Sequence, residues 1–102
     1  MSIIIPVGVS YDSDLEKVER VTIDVARHIL KNIPGGIASF DPFIRYNTFN
    51  AYSIDFSVIL RVEQFADQYL VKHEFIKALH QRYLAEGIQI PFPITTVMMP
   101  EK

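Results

Sequence analysis

The residues whose types and spacing most suggest metal binding are two histidines in the segment HEFIKALH, residues 73–80. A helical zinc site needs two histidines four residues apart, so that both imidazoles lie on the same face. Lys77 occupies that position here, and His73 and His80 would lie about 10 Å apart along a helix. One metal ion cannot bind both side chains at that separation. We therefore interpret both as surface histidines, and the sequence predicts no metal site.

A second candidate is the acidic segment DSDLE, residues 12–16, which is similar to the beginning of a calcium-binding loop. Such a loop needs a glycine at its sixth position and a bidentate glutamate at its twelfth. Lys17 and Ile23 occupy these positions, so we do not expect calcium binding. The three carboxylates of the segment lie at a solvated helix end, which lacks the enclosure that acid–base catalysis needs.

Other reactive patterns are also missing from the sequence. The chain contains no cysteine, which excludes disulfides, thiolate ligands and a cysteine nucleophile. The segment PGG, residues 34–36, follows a helix instead of opening one, so it presents no helix N-terminus to an anion. No serine lies in a G-x-S-x-G turn. We predict no catalytic residue, no cofactor, no small-molecule substrate and no enzymatic activity.

Length and composition narrow the remaining classes. The 102 residues predict a single domain, 1–102, of ordinary globular composition. A net charge of −2 argues against a nucleic-acid partner. No apolar run approaches the roughly 18 residues of a membrane span, and no signal peptide is recognisable. We therefore expect a soluble fragment that does not itself contact a membrane.

The first helix is predicted from about residue 13 to 32. Ser13 and Glu16 form a capping-box pattern, with Ser13 as the N-cap. Asp14 and Glu16 also suit the positive end of the helix dipole. Helical spacing then defines one apolar stripe, formed by Leu15, Val18, Val21, Thr22, Val25, Ile29 and Ile33.

Alternating apolar residues predict the strands. Residues 3–11 form one buried strand, in which Pro6 restricts the first half to an edge position or to an unpaired lead-in. A second strand covers 43–49, with a turn at Asn50 and Ala51. Residues 53–63 show the clearest alternation, with one face apolar: Ile54, Phe56, Val58, Leu60 and Val62. The other face shows no aromatic ring, which argues against RNA binding of the kind that RNA-recognition domains of this fold perform.

The second helix is predicted from about 67 to 86, with Phe75, Ile76, Leu79 and Tyr83 on its apolar face. Gly87 ends the helix in a left-handed conformation. Pro91 and Pro93 then hold Phe92 in extended backbone, before a last strand at 94–99. The order β-α-β-β-α-β predicts an α+β, ferredoxin-like two-layer sandwich, with both helices on one face of a mainly antiparallel sheet.

The sequence does not decide whether one exposed surface is a contiguous apolar patch. Ile59 lies among polar neighbours on the second face of its strand. Together with Phe92 and the segment VMM, residues 97–99, it would form either a contiguous apolar patch, which implies a protein partner, or only scattered apolar residues without functional meaning.

Three segments together are similar to one known family. They are VGVSYDSDLEKVERV, then YSIDFSVILRV, then LHQRYLAEGIQIPFP, and they span most of residues 7–97. This combination resembles the cytoplasmic C-terminal α/β domain of small-conductance mechanosensitive channels, the MscS family. The residues that carry the resemblance are Tyr11, Asp12, Ser13, Asp14, Ala85, Glu86, Gly87, Ile88, Pro91, Phe92 and Pro93.

The resemblance implies a function in assembly. Channels of this family are homo-oligomers, usually homoheptamers, whose membrane helices open under tension and release solutes during osmotic downshock. A β domain follows the membrane helices, and then the α/β domain, whose copies enclose a cage with side portals on the cytoplasmic side of the inner membrane. The segment IPFP would be a rigid joint at the base of that cage.

Two departures from the family, and two further interpretations, stay open. This sequence contains no equivalent of the family's membrane helices and β domain, so we expect that this chain alone neither conducts ions nor senses tension. Members of the family commonly have glycine in the turn where this chain has Asn50 and Ala51. Asparagine can also adopt the backbone conformation with positive φ that glycine favours. The fold is equally compatible with a stand-alone ferredoxin-like module that binds a small ligand and regulates another protein, or with a small enzyme. A sealed apolar pocket would favour the module, and a cleft with two strongly shifted pKa values would favour the enzyme.

Overall fold

A computed structural model describes residues 1–91 of the chain. The elements are β1 (Ser2–Val9), α1 (Leu15–Asn32), β2 (Phe43–Phe49), β3 (Ile54–Arg61) and α2 (Asp67–Glu86). These bounds confirm the predicted order up to the second helix. The predicted last strand at 94–99 lies outside the described residues, as do Phe92 and Pro93.

The described strands form one antiparallel sheet in the order β1-β3-β2. β3 therefore lies in the centre, which agrees with its regular alternation of buried and half-buried residues. β1 lies at an edge of the described sheet, where Pro6 is tolerated because an edge strand needs fewer backbone donors. A bulge in β2 between Tyr46 and Thr48, which the sequence did not predict, shifts its register against β3.

Both helices cover the same face of the sheet, as predicted. One core joins the inward residues of the strands to those of α1 and α2, while the opposite face of the sheet stays open. The largest fully buried side chains are Tyr83, Phe56, Phe75, Leu30 and Leu60. The predicted stripe of α1 is confirmed, with its two end residues, Leu15 and Ile33, only partly buried.

The predicted core face of α2 is wrong at one residue. Ile76 is 49% exposed, whereas Val71, which the prediction omitted, is fully buried. Val71, Phe75, Leu79 and Tyr83 follow one another at four-residue intervals and so lie along a single line of the helix. Ile76 follows Phe75 directly, so it lies to the side of that line on the helix surface and faces outward.

Two buried or half-buried tyrosines connect the layers. The Tyr83 and Thr22 hydroxyls form a hydrogen bond between α2 and α1. The Tyr46 hydroxyl donates to the Leu15 carbonyl at 2.7 Å and so connects β2 to the beginning of α1. Burial raises the pKa of Tyr83 to about 12, and burial together with the charge of Glu19 raises the pKa of Tyr46 to about 12. Both hydroxyls thus stay protonated at physiological pH.

Among residues 1–91, neither helix is long and apolar enough to cross a membrane.

Candidate functional site

The two histidines of the segment 73–80 lie on the exposed side of α2. The exposed His73 Nε2 lies 4.0 Å from the carboxylate of the half-buried Glu74. Within the described part of the chain, no three histidine, cysteine or carboxylate side chains are arranged to hold a metal ion.

The segment Tyr11–Glu16 forms the connection from β1 to α1. Its N-cap is Asp14, whose carboxylate accepts hydrogen bonds from the backbone amides of Glu16 at 3.1 Å and Lys17 at 3.2 Å. The prediction of Ser13 as the N-cap is therefore wrong by one residue. An ionised carboxylate is as good a cap as serine and gains from the helix dipole as well. The Ser13 hydroxyl instead lies 3.3 Å from that of Ser10.

The exit from α2 meets this connection directly. Gly87 ends α2 with φ of 74°, the left-handed conformation that the sequence predicted. The Ser10 amide donates to the Gln89 carbonyl at 3.0 Å, and the Lys17 ammonium donates to the Glu86 carbonyl at 2.9 Å. Two segments that the sequence singled out separately are thus in contact. Pro91 follows, half-buried, at the end of the described residues.

Charged side chains hold the two helices together near this exit. Arg82 lies between them, with NH1 2.9 Å from the Asp24 carboxylate on α1 and Nε 2.9 Å from the Glu86 carboxylate one turn further along α2. The hydrogen bond from Arg82 lowers the pKa of Glu86, and the bonds to Asp24 and Glu86 raise that of Arg82. The charges of this arrangement are paired with one another, and Arg82 connects α1 to α2 at the surface.

The open face of the sheet carries a contiguous apolar surface. Ile4, Ile59 and Phe43 lie directly opposite one another on the three adjacent strands. Ile4 is 64% exposed, and the Phe40 ring lies 6.3 Å from that of Phe43. We call these four residues the open-face patch. The sequence had indicated Ile59, but with Phe92 and residues 97–99 as its neighbours; those lie outside the described residues.

Two arginines border the open-face patch. The Arg45 guanidinium lies 4.7 Å from the centre of the Phe43 ring, and that of Arg61 lies 5.9 Å from the centre of the Phe40 ring. Each distance is within the range of a cation–π contact. The patch therefore combines exposed apolar area with positive charge.

A second group of exposed aromatic residues lies at the other end of the sheet. Phe49 is 82% exposed at the end of β2, and Tyr52 is exposed in the loop that connects β2 to β3. The Tyr11 hydroxyl donates to the Asn50 carbonyl, which joins the β1–α1 connection to this hairpin. We call Tyr11, Phe49 and Tyr52 the tip patch.

Asn50 stabilises the hairpin turn through its backbone and its side chain. Its amide donates to the Ser53 carbonyl at 2.8 Å, and its side-chain oxygen accepts from the Ala51 amide at 2.8 Å. Its side-chain nitrogen donates to the Asp55 carboxylate at 3.0 Å. The side chain thus supplies local hydrogen bonds that stabilise the turn, and the hairpin presents Phe49 to solvent.

These surfaces are suited to contact with another macromolecule, because exposed apolar patches bordered by polar groups mark interaction sites. Sequence reasoning missed both partners of Ile59 across the sheet and the whole tip patch. The strand register that places Ile4 and Phe43 beside Ile59 was the missing information. The exposed aromatics of a predicted hairpin, Phe49 and Tyr52, were a readable signal that was not used.

Comparisons with known proteins agree with this architecture. Residues 3–90 match the family model described as mechanosensitive ion channel MscS, C-terminal. The chain is similar to the crystal structure of Helicobacter pylori MscS in its closed state, with a TM-score of 0.71 and 20% sequence identity over 100% of this chain. It is also similar to the cryo-EM structure of Arabidopsis thaliana MSL1, with a TM-score of 0.63 and 11% identity over 90% of this chain. A comparison with curated protein sequences finds no match.

The structural likenesses support the fold, and the family model supports membership. The chain spans 39% of the Helicobacter pylori MscS chain and 34% of the MSL1 chain. The family model covers nearly all of the described residues, including the β1–α1 connection, the open-face patch and the exit from α2. The chain therefore belongs to the family of MscS mechanosensitive channel C-terminal domains.

Proposed function

We propose that the chain is the assembly domain of a mechanosensitive channel, on the cytoplasmic side of the inner membrane. Its residues 1–102 act as one domain that associates with identical copies, and the copies together surround a cage through which solutes reach the pore. The proposal includes a homoheptamer as the oligomer and no covalent chemistry by this domain.

The observation that carries this proposal is the open-face patch in a chain of this family. Ile4, Ile59 and Phe43 form an apolar row across all three described strands, and each contributes to an exposed or half-buried surface. Covering such a row with a neighbouring copy removes apolar area from water, at about 25 cal/mol per Å². A domain whose work is assembly needs a surface of this kind.

The ion pairs and hydrogen bonds at the helix exit support the same interpretation. The ion pairs of Glu86 with Lys17 and Arg82, and the hydrogen bond from the Ser10 amide to the Gln89 carbonyl, support a fixed direction in which the chain leaves α2. A domain that positions its neighbours in a ring requires a fixed exit direction, because small angular errors accumulate around the ring.

Two experiments test the proposal. The reading frame upstream of residue 1 should encode at least one apolar run of about 20 residues, as a membrane helix requires. The product of the complete frame should protect bacteria that lack such channels during osmotic downshock, and deletion of residues 3–90 should remove that protection. An upstream stop codon without any membrane span would contradict the proposal, as would full protection by the deleted form.

The isolated chain should associate only weakly, because the membrane region that gathers the subunits is missing from it. Sedimentation velocity should show a monomer at low concentration and a modest rise in the sedimentation coefficient at high concentration. A stable ring at all concentrations would show that this domain alone determines the assembly.

A further inference from the structure

A polar pocket lies on the open face of the sheet, at the end next to the hairpin that joins β2 to β3. Its volume is about 300 Å³, and all three described strands line it, with Gly8 of β1, Asn47 and Thr48 of β2, and Asp55 and Ser57 of β3. No residue of the open-face patch or the tip patch lines it. We call this feature the Asp55 pocket, because Asp55 supplies its charge.

The pocket exists because a glycine lies directly opposite Asp55. Gly8 and Asp55 are partners in the register of β1 and β3. Met1 and Val62 exchange both of their backbone hydrogen bonds, so by alternation Gly8 and Asp55 form a non-hydrogen-bonded pair, in which opposite side chains lie closest. A Cβ on Gly8 would lie 2.7 Å from Asp55 Oδ1. The missing side chain therefore leaves the space for the carboxylate.

Two neutral donors hold the Asp55 carboxylate in position. Oδ1 accepts from the Ser53 hydroxyl at 2.6 Å, and Oδ2 accepts from the Asn50 side-chain nitrogen at 3.0 Å. A carboxylate offers about four acceptor sites, so both oxygens can accept a further donor. Because neither Ser53 nor Asn50 carries a charge, these bonds orient the carboxylate and leave its negative charge unpaired.

No cation of the described chain forms an ion pair with Asp55. The nearest arginine in the strand register is Arg45. Its guanidinium is engaged elsewhere, because NH1 donates to the Ile44 carbonyl at 2.8 Å and the group lies over the Phe43 ring. Asp55 is half-buried, and opposite charges attract more strongly where less water surrounds them. A cation that enters the pocket therefore gains more than it would at a fully exposed carboxylate.

The other polar groups of the pocket suit a ligand that is rich in donors. The Asn47 side-chain nitrogen donates to the Ser57 hydroxyl oxygen at 3.0 Å, and the Thr48 hydroxyl donates to the Asn47 side-chain oxygen at 2.9 Å. These bonds occupy the Thr48 proton and one amide proton of Asn47, and they orient the oxygens of Asn47 and Ser57. An ammonium group presents three donors and a guanidinium group five, and neither presents an acceptor.

We propose that the Asp55 pocket binds one protonated amine or guanidinium group. The Asp55 carboxylate accepts hydrogen bonds from the cation, and the oxygens of Asn47 and Ser57 accept from its remaining donors. Free aliphatic amines and the lysine or arginine side chains of a partner protein carry the same groups. The proposal does not depend on the proposed self-association, because the pocket shares no lining residue with either apolar patch.

NMR titration of the isotope-labelled chain tests the proposal with two cationic probes. Putrescine represents the free amines, and the peptide N-acetyl-Gly-Arg-Gly-amide represents a protein side chain. The same peptide with citrulline in place of arginine keeps the shape without the charge and serves as the control probe. At least one cationic probe should shift the backbone amide signals of Gly8, Asp55 and Ser57 saturably, and the citrulline peptide should not. The probe that binds more tightly identifies which source of the cation the pocket prefers.

Three variants distinguish the pocket from general attraction to an acidic chain. Asp55→Asn and Glu63→Gln each remove one negative charge, but Glu63 is exposed and does not line the pocket. D55N should weaken binding by roughly tenfold or more, as loss of a hydrogen bond to a charged group does, and E63Q by about twofold at most. Gly8→Ala keeps the net charge and should also weaken binding several-fold, because its methyl group fills the space beside Asp55 Oδ1.

Circular dichroism confirms that each variant is folded, and D55N alone decides the outcome if G8A unfolds. Three results would overturn the proposal. They are the absence of saturable shifts at Gly8, Asp55 and Ser57 with both cationic probes, equally tight binding of the citrulline peptide, and equal weakening by D55N and E63Q. None of these results bears on self-association, which sedimentation measures separately.

Discussion

Replacement of Leu79 by alanine should lower the free energy of unfolding by about 2–5 kcal/mol, the range of leucine-to-alanine changes in protein cores. Leu79 is only 4% exposed and lies within the core that joins α2 to the sheet. The change removes the equivalent of three buried methylene groups, each contributing about 0.8 kcal/mol. The cavity that remains adds a further cost, because the surrounding side chains relax only in part.

Ile76→Ala provides the matched control on the same helix. Ile76 is about half exposed, so truncation should cost roughly 1 kcal/mol of transfer free energy. Alanine's higher helix propensity returns about 0.4 kcal/mol of that. The net loss should therefore stay below about 1 kcal/mol, well under the loss at Leu79.

Urea titration followed by far-UV circular dichroism measures both variants. With a slope of about 1.5 kcal/mol per molar urea, the midpoint should fall by roughly 2 M for L79A and by well under 1 M for I76A. Equal losses in the two variants, or a larger loss for I76A, would refute the orientation of α2 against the core.

Three further predictions concern caps, glycines and pH. Asp14→Ala should cost about 1 kcal/mol in a denaturant titration and Ser13→Ala much less, because the Asp14 carboxylate accepts the amides of the first helical turn; the reverse order would restore Ser13 as the cap. Gly36→Ala should cost about 1–3 kcal/mol, since its Cβ would lie 2.8 Å from a backbone carbonyl oxygen of α1; Gly87→Ala meets no atom within 4 Å and should cost about 1 kcal/mol through its positive φ alone. The free energy of unfolding should fall as the pH rises from about 10 to 12, because the folded-state pKa of Tyr83, raised by burial to about 12, exceeds the unfolded value near 10. That contribution to stability is fully present below pH 10 and is lost as the pH rises through 12. Tyr83→Phe should therefore reduce the difference in thermal stability between pH 9 and pH 11. An unchanged difference would contradict the raised pKa of Tyr83.

Helices and strands whose apolar residues recur at one regular spacing could be predicted closely from the sequence. Every second residue of β3 is apolar, and its buried set matches the prediction from Ile54 to Leu60; Ile59 is the one apolar residue on the other face. The end of α2 at Gly87 also agrees, since only a residue without Cβ adopts a positive φ there without cost. In these segments local preference and tertiary packing favour the same conformation.

Features that depend on the arrangement of elements in space could not be predicted. Ile76 was wrongly placed on the core face of α2 and Val71 was omitted from it, because apolar residues occur all around that helix, including Tyr69 and Leu84 on its outer surface. Whether Asp14 or Ser13 is the N-cap depends on where the preceding loop turns. In this loop the Ser13 amide donates a hydrogen bond to the Ser10 carbonyl. The open-face patch required the register that aligns three strands.

The size of the assembly formed by the product of the full reading frame tests the proposed self-association most directly. Native mass spectrometry of the detergent-solubilised product of the full reading frame should give a single homo-oligomer, with seven subunits as the proposed number. The same product with Phe43→Asp and Phe49→Asp, one change in each patch, should give smaller and heterogeneous species, whereas Ile76→Asp should leave the oligomer intact. An unchanged oligomer in the double variant, or a monomer from the unaltered frame, would contradict the account.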